Sequence, residues 1–364
     1  MYHCQSCGRE YGADGPWRCA CGHALDYADR PLPERDDPPD PRSFDRDRGL
    51  WSFTDFLPVD RRVSLGEGWT PLVEDETFGA QIKLDSVFPT GSFKDRGATV
   101  TLSQAAELGV DRIVEDSSGN AGLAIATYAA RAGIDAEIYV PADAKPTKLR
   151  KIERTGADVV RVEGSRAAVT EACHDALEGD AWYASHAWQP AFFAGTTTWA
   201  LEVAAQRDWS VPDAVVVPVG HGTLLLGAYR GFTALRDAGW TDAVPRLLGA
   251  QASGYAPIAA GRASASGEAE SPATNAATND VADGIQIRGP ARGDQLLAAI
   301  DATDGAAVAV DAAATERAHK RLTRAGFQVE PTCATAIAAL DRFRDDGTLA
   351  PDDDTVVVLS GQNG

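Results

Sequence analysis

Lys94 stands in the run Pro89-Thr90-Gly91-Ser92-Phe93-Lys94-Asp95-Arg96-Gly97, a loop that delivers one lysine onto the start of an apolar helix. Only six lysines occur in the 364 residues. An ammonium at a helix N-terminus feels a positive field and, once shielded from water, loses proton affinity. Both effects favour the neutral amine, so the chemistry to expect is nucleophilic attack on an aldehyde cofactor such as pyridoxal phosphate (PLP). A lone lysine in such a place is by default a solvated helix opener. The motifs further along the chain tell against that.

Ser117-Ser118-Gly119-Asn120-Ala121-Gly122 follows a strand-like run and opens a helix, where hydroxyls and unpaired N–H groups can hold a carboxylate. A simple N-cap accounts for the serines and one glycine, but not for the whole run. Gly220-His221-Gly222-Thr223-Leu224 follows the apolar run 214–219 and suits a phosphate dianion through close backbone approach and a helix field. It is neither a Walker loop, lacking Gly-Lys-Ser/Thr, nor Gly-x-Gly-x-x-Gly, since Leu225 fills the last place. Val356-Val357-Val358-Leu359-Ser360-Gly361 ends a buried strand on a hydroxyl. A hydroxyl meeting the pyridine nitrogen of PLP leaves it neutral, a weak electron sink that favours elimination and replacement over transamination. Taken alone, Ser360 reads as a turn residue.

Of six cysteines, four crowd into the first 21 residues as Cys4-x-x-Cys7 and Cys19-x-Cys21, a metal pattern more than a disulfide framework. Four thiolates could surround Zn²⁺, and metal binding would supply the folding free energy that so small a core lacks. The second pair is one residue tighter than the usual knuckle, and His3 and His23 are near enough to substitute, so the ligand set stays open. Redox cysteines are the alternative. Cys173 and Cys333 stand alone, and Cys333 reads as a small buried residue at a helix start.

These groups need a scaffold, and apolar runs supply one. Residues 82–84, 112–114, 136–140, 158–162, 214–219, 246–250 and 356–359 read as strands, with helices after most of them, as at 120–132 and 224–237. Such alternation predicts parallel sheets covered on both faces, with ligands at the carboxyl ends of the strands. Residues 26–48 are crowded with Pro, Asp and Arg and read as an extended linker, and 259–283 as a mobile surface loop. No internal repeat is present.

Fifty-three acidic against 34 basic residues leave a formal net charge of −19, and no basic run exists to neutralise phosphates. General nucleic-acid and anionic-membrane binding are therefore not expected. The balance resembles that of proteins from salt-loving archaea, with an acidic mesophilic protein as the alternative. No apolar run approaches the roughly 18 residues of a membrane span, and the N-terminus lacks a signal pattern, so a soluble, cytoplasmic protein is expected.

The order Leu65-Gly66-Glu67-Gly68-Trp69-Thr70-Pro71-Leu72, Lys94 motif, Ser-Gly-Asn loop, glycine loop and terminal Ser-Gly resembles the fold-type II PLP enzymes, and within them the threonine synthases. The resemblance runs from the cysteine-rich start to nearly the last residue. It implies an α/β fold with two parallel-sheet domains and an N-terminal zinc ribbon. Residues 1–28 would be the ribbon, 29–63 a linker and arm, 64–97 plus 191–364 the larger domain and 98–190 the smaller, in a homodimer acting on a small amino acid. Lys94 would bond the cofactor's aldehyde carbon, Phe93 line one ring face and Asn120 bond the phenolic oxygen. Gly220, His221, Gly222, Thr223 and Leu224 would cradle the cofactor phosphate, with Ser360 at the pyridine nitrogen. Ser117, Ser118, Asn120 and Ala121 would grip the substrate carboxylate. The activity implied is conversion of O-phosphohomoserine and water to threonine and phosphate.

Threonine synthases carry a segment of the kind Asn-Ser-x-Asn-Pro-x-Arg before a Gly-x-x-Thr helix, where it helps to bind the substrate's phosphate. Here the run is His186-Ala187-Trp188-Gln189-Pro190-Ala191-Phe192, so a bidentate clamp is lost at Phe192. His186, Gln189 and Phe192 become the expected side-chain pocket. The glycine loop departs too, carrying His221 and Thr223-Leu224 where the family usually shows asparagines and another glycine. The departures leave room for a threonine/serine dehydratase or a cysteine-synthase-like β-replacement enzyme. A non-catalytic PLP-binding or zinc-ribbon interaction protein is the alternative outside enzymology, opposed by Lys94, Asn120 and Ser360.

Overall fold

The computed structural model describes residues 1–34, 37–261 and 277–362. Tyr2–His3 (β1), Glu10–Tyr11 (β2) and Asp26–Tyr27 (β3) form a small antiparallel sheet, ordered β2-β1-β3, beside the cysteine pairs. Leu72–Asp75 (β4) and Ala80–Lys83 (β5) come next. Arg112–Glu115 (β6), Asp135–Pro141 (β7), Asp158–Val162 (β8) and Trp182–Tyr183 (β9) make an all-parallel sheet ordered β8-β7-β6-β9. Ala214–Pro218 (β10), Arg246–Ala252 (β11), Ala306–Val310 (β12) and Thr355–Val358 (β13) join β4 and β5 in a six-stranded sheet ordered β12-β11-β10-β13-β5-β4. That sheet is parallel except at β4, which runs antiparallel to β5.

The helices are Lys94–Glu107 (α1), Asn120–Ala132 (α2), Pro146–Glu153 (α3), Arg166–Asp175 (α4), Pro190–Gln206 (α5), Thr223–Asp237 (α6), Gly293–Asp301 (α7), Ala312–Arg324 (α8) and Pro331–Asp345 (α9). Both faces of the large sheet are covered. Val215, Val217, Val356 and Val358 pack with α5, α6 and α7, while Ala214, Val216, Val357 and Leu359 pack with α8 and α9. A strand sends successive side chains to opposite faces, so two covered faces require the unbroken apolar runs seen in β10 and β13.

All seven expected strands form. Those not anticipated are short, edge-lying or poor in apolar mass: β1 to β4, β9, and β12 with its sequence Ala-Ala-Val-Ala-Val. The expected linker 26–48 is only partly extended, because Asp26 lies in β3, buried against Arg230 and Arg292, and 3-10 turns span Pro41–Ser43 and Arg46–Phe56. Of the expected loop 259–283, residues 262–276 lie outside the described residues. Beyond them Asn279 is buried, its Nδ2 donating to Val310 O at 2.9 Å and Thr315 Oγ1 at 2.8 Å, which anchors the returning chain. Among the described residues no helix is long and apolar enough to cross a membrane.

Candidate active site

Lys94 is the first residue of α1, and a buried ionic cluster fixes where that helix starts. Arg96 donates through Nε to Asp85 Oδ2 at 2.9 Å and through Nη1 to Glu202 Oε1 at 2.6 Å, and Lys83 Nζ donates to Glu202 Oε2 at 2.9 Å. All four side chains are buried, two cations against two carboxylates, so the charges balance where water cannot reach. The helix crosses α5 closely at Gly195, where a Cβ would sit 2.0 Å from Arg96 O. The loop before Lys94 is pinned to the end of β13: Phe93 N donates to Ser360 O and Gln362 N to Gly91 O, both at 2.9 Å. Lys94 and Ser360 are thus held together by backbone.

Those elements meet at a cleft of about 690 Å³ at the carboxyl ends of the strands. Of the residues singled out from the sequence, Phe93, Lys94, Ser117, Ser118, Asn120, Ala121, His186, Gly220, His221, Gly222, Thr223, Leu224 and Ser360 line it. Gln189 and Phe192 do not. Gln189 is buried with Nε2 donating to Tyr183 O, and the Phe192 ring lies behind the wall against Gly97 and His186.

Lys94 is part-buried, with Nζ 4.1 Å from the centroid of the Phe93 ring and no hydrogen bond among the described residues. Burial lowers its pKa to about 8, against the opposing pull of Glu330 and Glu115. Such an amine keeps an appreciable neutral fraction near pH 7.5, far more than a solvated lysine, and can attack an aldehyde or move a proton. Across the cleft Asn120 opens α2, its Nδ2 donating to Glu330 Oε2 at 3.0 Å. The α2 start sits tightly on its loop, since a Cβ on Gly122 would fall 1.8 Å from Ser117 O. The glycine loop turns into α6 through Gly222 at φ +74, where a Cβ would lie 2.3 Å from Leu296. Glycine is required there on both counts. The first N–H groups of that helix have no intrahelical acceptor and are suited to a dianion. An amine unpartnered among the described residues, a helix start suited to an anion and a hydroxyl at a strand end on one cleft suit a flat aldehyde bearing a phosphate.

Cys333 is buried at the start of α9, its Sγ donating to Gly361 O at 3.1 Å, and burial pushes its pKa up to about 12, as for an inert thiol. Several lining residues were not singled out from the sequence: Glu330, Arg166, Lys145, Lys148 and Lys151. Four of the chain's six lysines therefore face this cleft. Behind it, Glu115 ends β6, and its place at a strand's carboxyl end was the signal available.

At the N-terminus the sulfurs of Cys4, Cys7, Cys19 and Cys21 all lie within 4.8 Å of one another, with Cys4 to Cys21 at 3.6 Å and Cys7 to Cys19 at 3.5 Å. Four thiolates at the usual zinc distance stand roughly 3.8 Å apart, so the cluster has the size of a tetrahedral site. His23 Nδ1 is 3.4 Å from Cys21 Sγ, at the margin of the cluster.

Residues 63–361 match the family described as pyridoxal-phosphate dependent enzyme. A threonine synthase of Methanosarcina acetivorans is 32% identical, the match covering 99% of this chain and 91% of the relative. A threonine synthase of Methanocaldococcus jannaschii is 30% identical, covering 99% and 92%. Among solved structures, a T.th. threonine deaminase superposes with a TM-score of 0.65 at 28% identity, covering 81% of this chain and 93% of that one. Maize serine racemase superposes with a TM-score of 0.67 at 23% identity, covering 81% and 88%.

Proposed function

The chain belongs to the pyridoxal-phosphate dependent enzyme family, as a threonine synthase-like lyase, and from that premise we propose that it converts O-phosphohomoserine and water into threonine and phosphate. The observation that carries the reading is the convergence of the Lys94 loop, the Ser117–Ala121 loop, the glycine loop and Ser360 on one cleft.

Bound PLP supplies an electron sink that makes the α- and β-protons of an amino acid removable. Lys94 would hold the cofactor by its aldehyde carbon and, once released, take the proton at Cα and then move the one at Cβ, work suited to a pKa near 8. Gly220, His221, Gly222, Thr223 and Leu224 would hold the cofactor phosphate at the start of α6. Phe93 would cover one ring face, Asn120 would donate to the phenolic oxygen with Glu330 orienting its amide, and Ser360 would keep the ring nitrogen neutral. Ser117, Ser118, Asn120 and Ala121 would hold the substrate carboxylate at the start of α2. That grip would draw the smaller domain, 98–190, toward the larger, 64–97 plus 191–364, and exclude water. We further propose a homodimer, and a structural Zn²⁺ on Cys4, Cys7, Cys19 and Cys21, supported by the spacing of their sulfurs.

One observation favours a second reading. Phe192 stands where the family's arginine clamp is expected and is buried out of the cleft, as would suit an ammonia-lyase acting on serine or threonine. The test is to incubate the PLP-loaded protein with O-phosphohomoserine in high salt and assay phosphate and threonine together. Equal release of both, abolished in Lys94→Ala, is the expected result. No threonine, with 2-oxoacid formed from serine or threonine, would transfer the assignment to an ammonia-lyase.

A further inference from the structure

The two histidines that mark this chain's departures from the threonine synthase pattern meet in space. His186 and His221 stand with ring centroids 5.1 Å apart and planes at 84°, and both line the cleft. His186 Nδ1 lies 2.6 Å from Glu115 Oε1, a carboxyl with no exposed surface, which leaves Nε2 as the nitrogen free of any protein bond. His221 Nδ1 is buried without a partner. Arg166 opens α4 on the same cleft, its Nη2 held by Asp116 Oδ2 at 3.2 Å. A buried carboxyl, two imidazoles and one guanidinium thus lie on or just behind one wall.

We propose that Glu115, His186 and His221 are the proton-delivering wall of the subsite for the substrate's leaving phosphate, with Arg166 supplying the counter-charge that Phe192 cannot. The inference rests on the reading of the site given above. When Lys94 removes the proton at Cβ, that bond's electron pair becomes the Cβ=Cγ double bond, and the Cγ–O bond breaks with its pair going to oxygen. Unprotonated, the departing group would be a phosphate trianion. A proton passed from His186 Nε2 to that oxygen makes it hydrogen phosphate, while Glu115 hands its own proton to Nδ1 and is left as a carboxylate. Solvent restores that proton when phosphate departs, and the atoms balance. His221 donates beside it and fixes the anion's position.

The resting electrostatics fit this direction. Burial, and then Asp116, hold the Glu115 carboxyl well above the usual range, whereas burial, and then Lys94, push His186 down to about 3. Both shifts favour the neutral forms, and within the pair they favour the proton on the carboxyl over the imidazole. Burial, and then His186, hold His221 well below its ordinary value. The other titratable groups facing the pair are Lys94, Asp116, Arg166, Cys173 and Tyr183. A dianion entering this wall favours protonated imidazole, so its binding must take up protons.

Inorganic phosphate is the probe, titrated into the PLP-loaded protein by calorimetry at pH 7.5, in buffers of differing ionisation heat. Proton uptake in the wild type and its reduction in His186→Gln are expected, whereas Glu115→Gln, whose amide imitates the neutral carboxyl but has no proton to hand on, should keep the uptake and lose turnover, with the visible band of bound cofactor retained as evidence of folding. With O-phosphohomoserine, His186→Gln should lose about 100-fold or more in kcat with little change in KM, and Arg166→Met should chiefly raise KM. Threonine formation at wild-type rates in both Glu115→Gln and His186→Gln, with undiminished proton uptake in His186→Gln, overturns the wall but leaves the proposed activity standing. If the wild type makes no threonine, the activity fails; the anion site then stands if phosphate still binds with proton uptake and falls if it does not.

Discussion

Lys94 holds its proton loosely because burial costs the ammonium more than Glu330 and Glu115 return. The consequence is measurable in the cofactor-free protein. The rate at which it captures PLP, followed by the visible band, should rise with pH through a midpoint near 8, since only the neutral amine attacks. Glu330 raises that pKa, so Glu330→Gln should move the midpoint down. A midpoint near that of free lysine, about 10.4, would mean that Lys94 is solvated and the cleft reading is wrong. At this scale the sequence was informative where a motif was contiguous, as at Lys94, Asn120 and Ser360. Glu330 lies 210 positions from the Asn120 it holds, and Glu115 lies 71 from His186, so no local pattern could have paired them. Phe192 shows the reverse limit: its position was legible as a departure, but the side to which its ring turns was set by Gly97 on another helix.

Among the elements, α1 and α5 carry the greatest structural demand. Arg96 joins them to β5 by neutralising Asp85 and Glu202, and nothing else in the cluster could balance both carboxylates once it was gone. Arg96→Met should cost about 3–5 kcal/mol in chemical denaturation, the usual consequence of leaving buried charge unpaired. Gly195→Ala should cost roughly 1–3 kcal/mol or more through overpacking, because the atom it would strike is backbone and cannot swing aside. A denaturation midpoint unchanged in both variants would show that the two helices are not clamped as described. The strands were legible for a related reason. β10 and β13 are buried on both faces, which writes continuous valine runs into the chain, whereas β12 packs partly on alanine and β9 has only two residues. Pairing partners, strand order and the antiparallel β4 follow from tertiary contacts and had no signature of their own.

At the scale of the whole molecule, a net charge of −19 coexists with a cleft lined by four of six lysines. Surface carboxylates repel one another over about 10 Å at 0.1 M salt but only about 3 Å at 1 M. The thermal midpoint should therefore rise as KCl is added, and a flat response would remove the argument for a salt-adapted surface. The cysteine-rich N-terminus sets a separate condition. It grips the large sheet's side through Asp26, which accepts from Arg230 Nη2 at 2.7 Å and Arg292 Nη1 at 2.8 Å, and it reaches the small sheet's side through Trp17, 4.6 Å from His174 and 4.9 Å from Trp188. Its own apolar core is four buried residues, Tyr2, Cys4, Cys19 and Leu25, two of which are the cysteines themselves. A core of that size cannot offset chain entropy, and the Zn²⁺ proposed on the four thiolates would supply the difference. Chelation, or Cys19→Ser, should unfold residues 1–28 while the sheets persist. Hydrogen exchange would then rise first at 2–27, in the middle of α6 and at the start of α7, where Arg230 and Arg292 lose the charge that justified their burial. If exchange at 2–27 is indifferent to chelator, the four thiols do not need a metal, and the N-terminus is held by its contacts with the sheets, those of Asp26 and Trp17 among them.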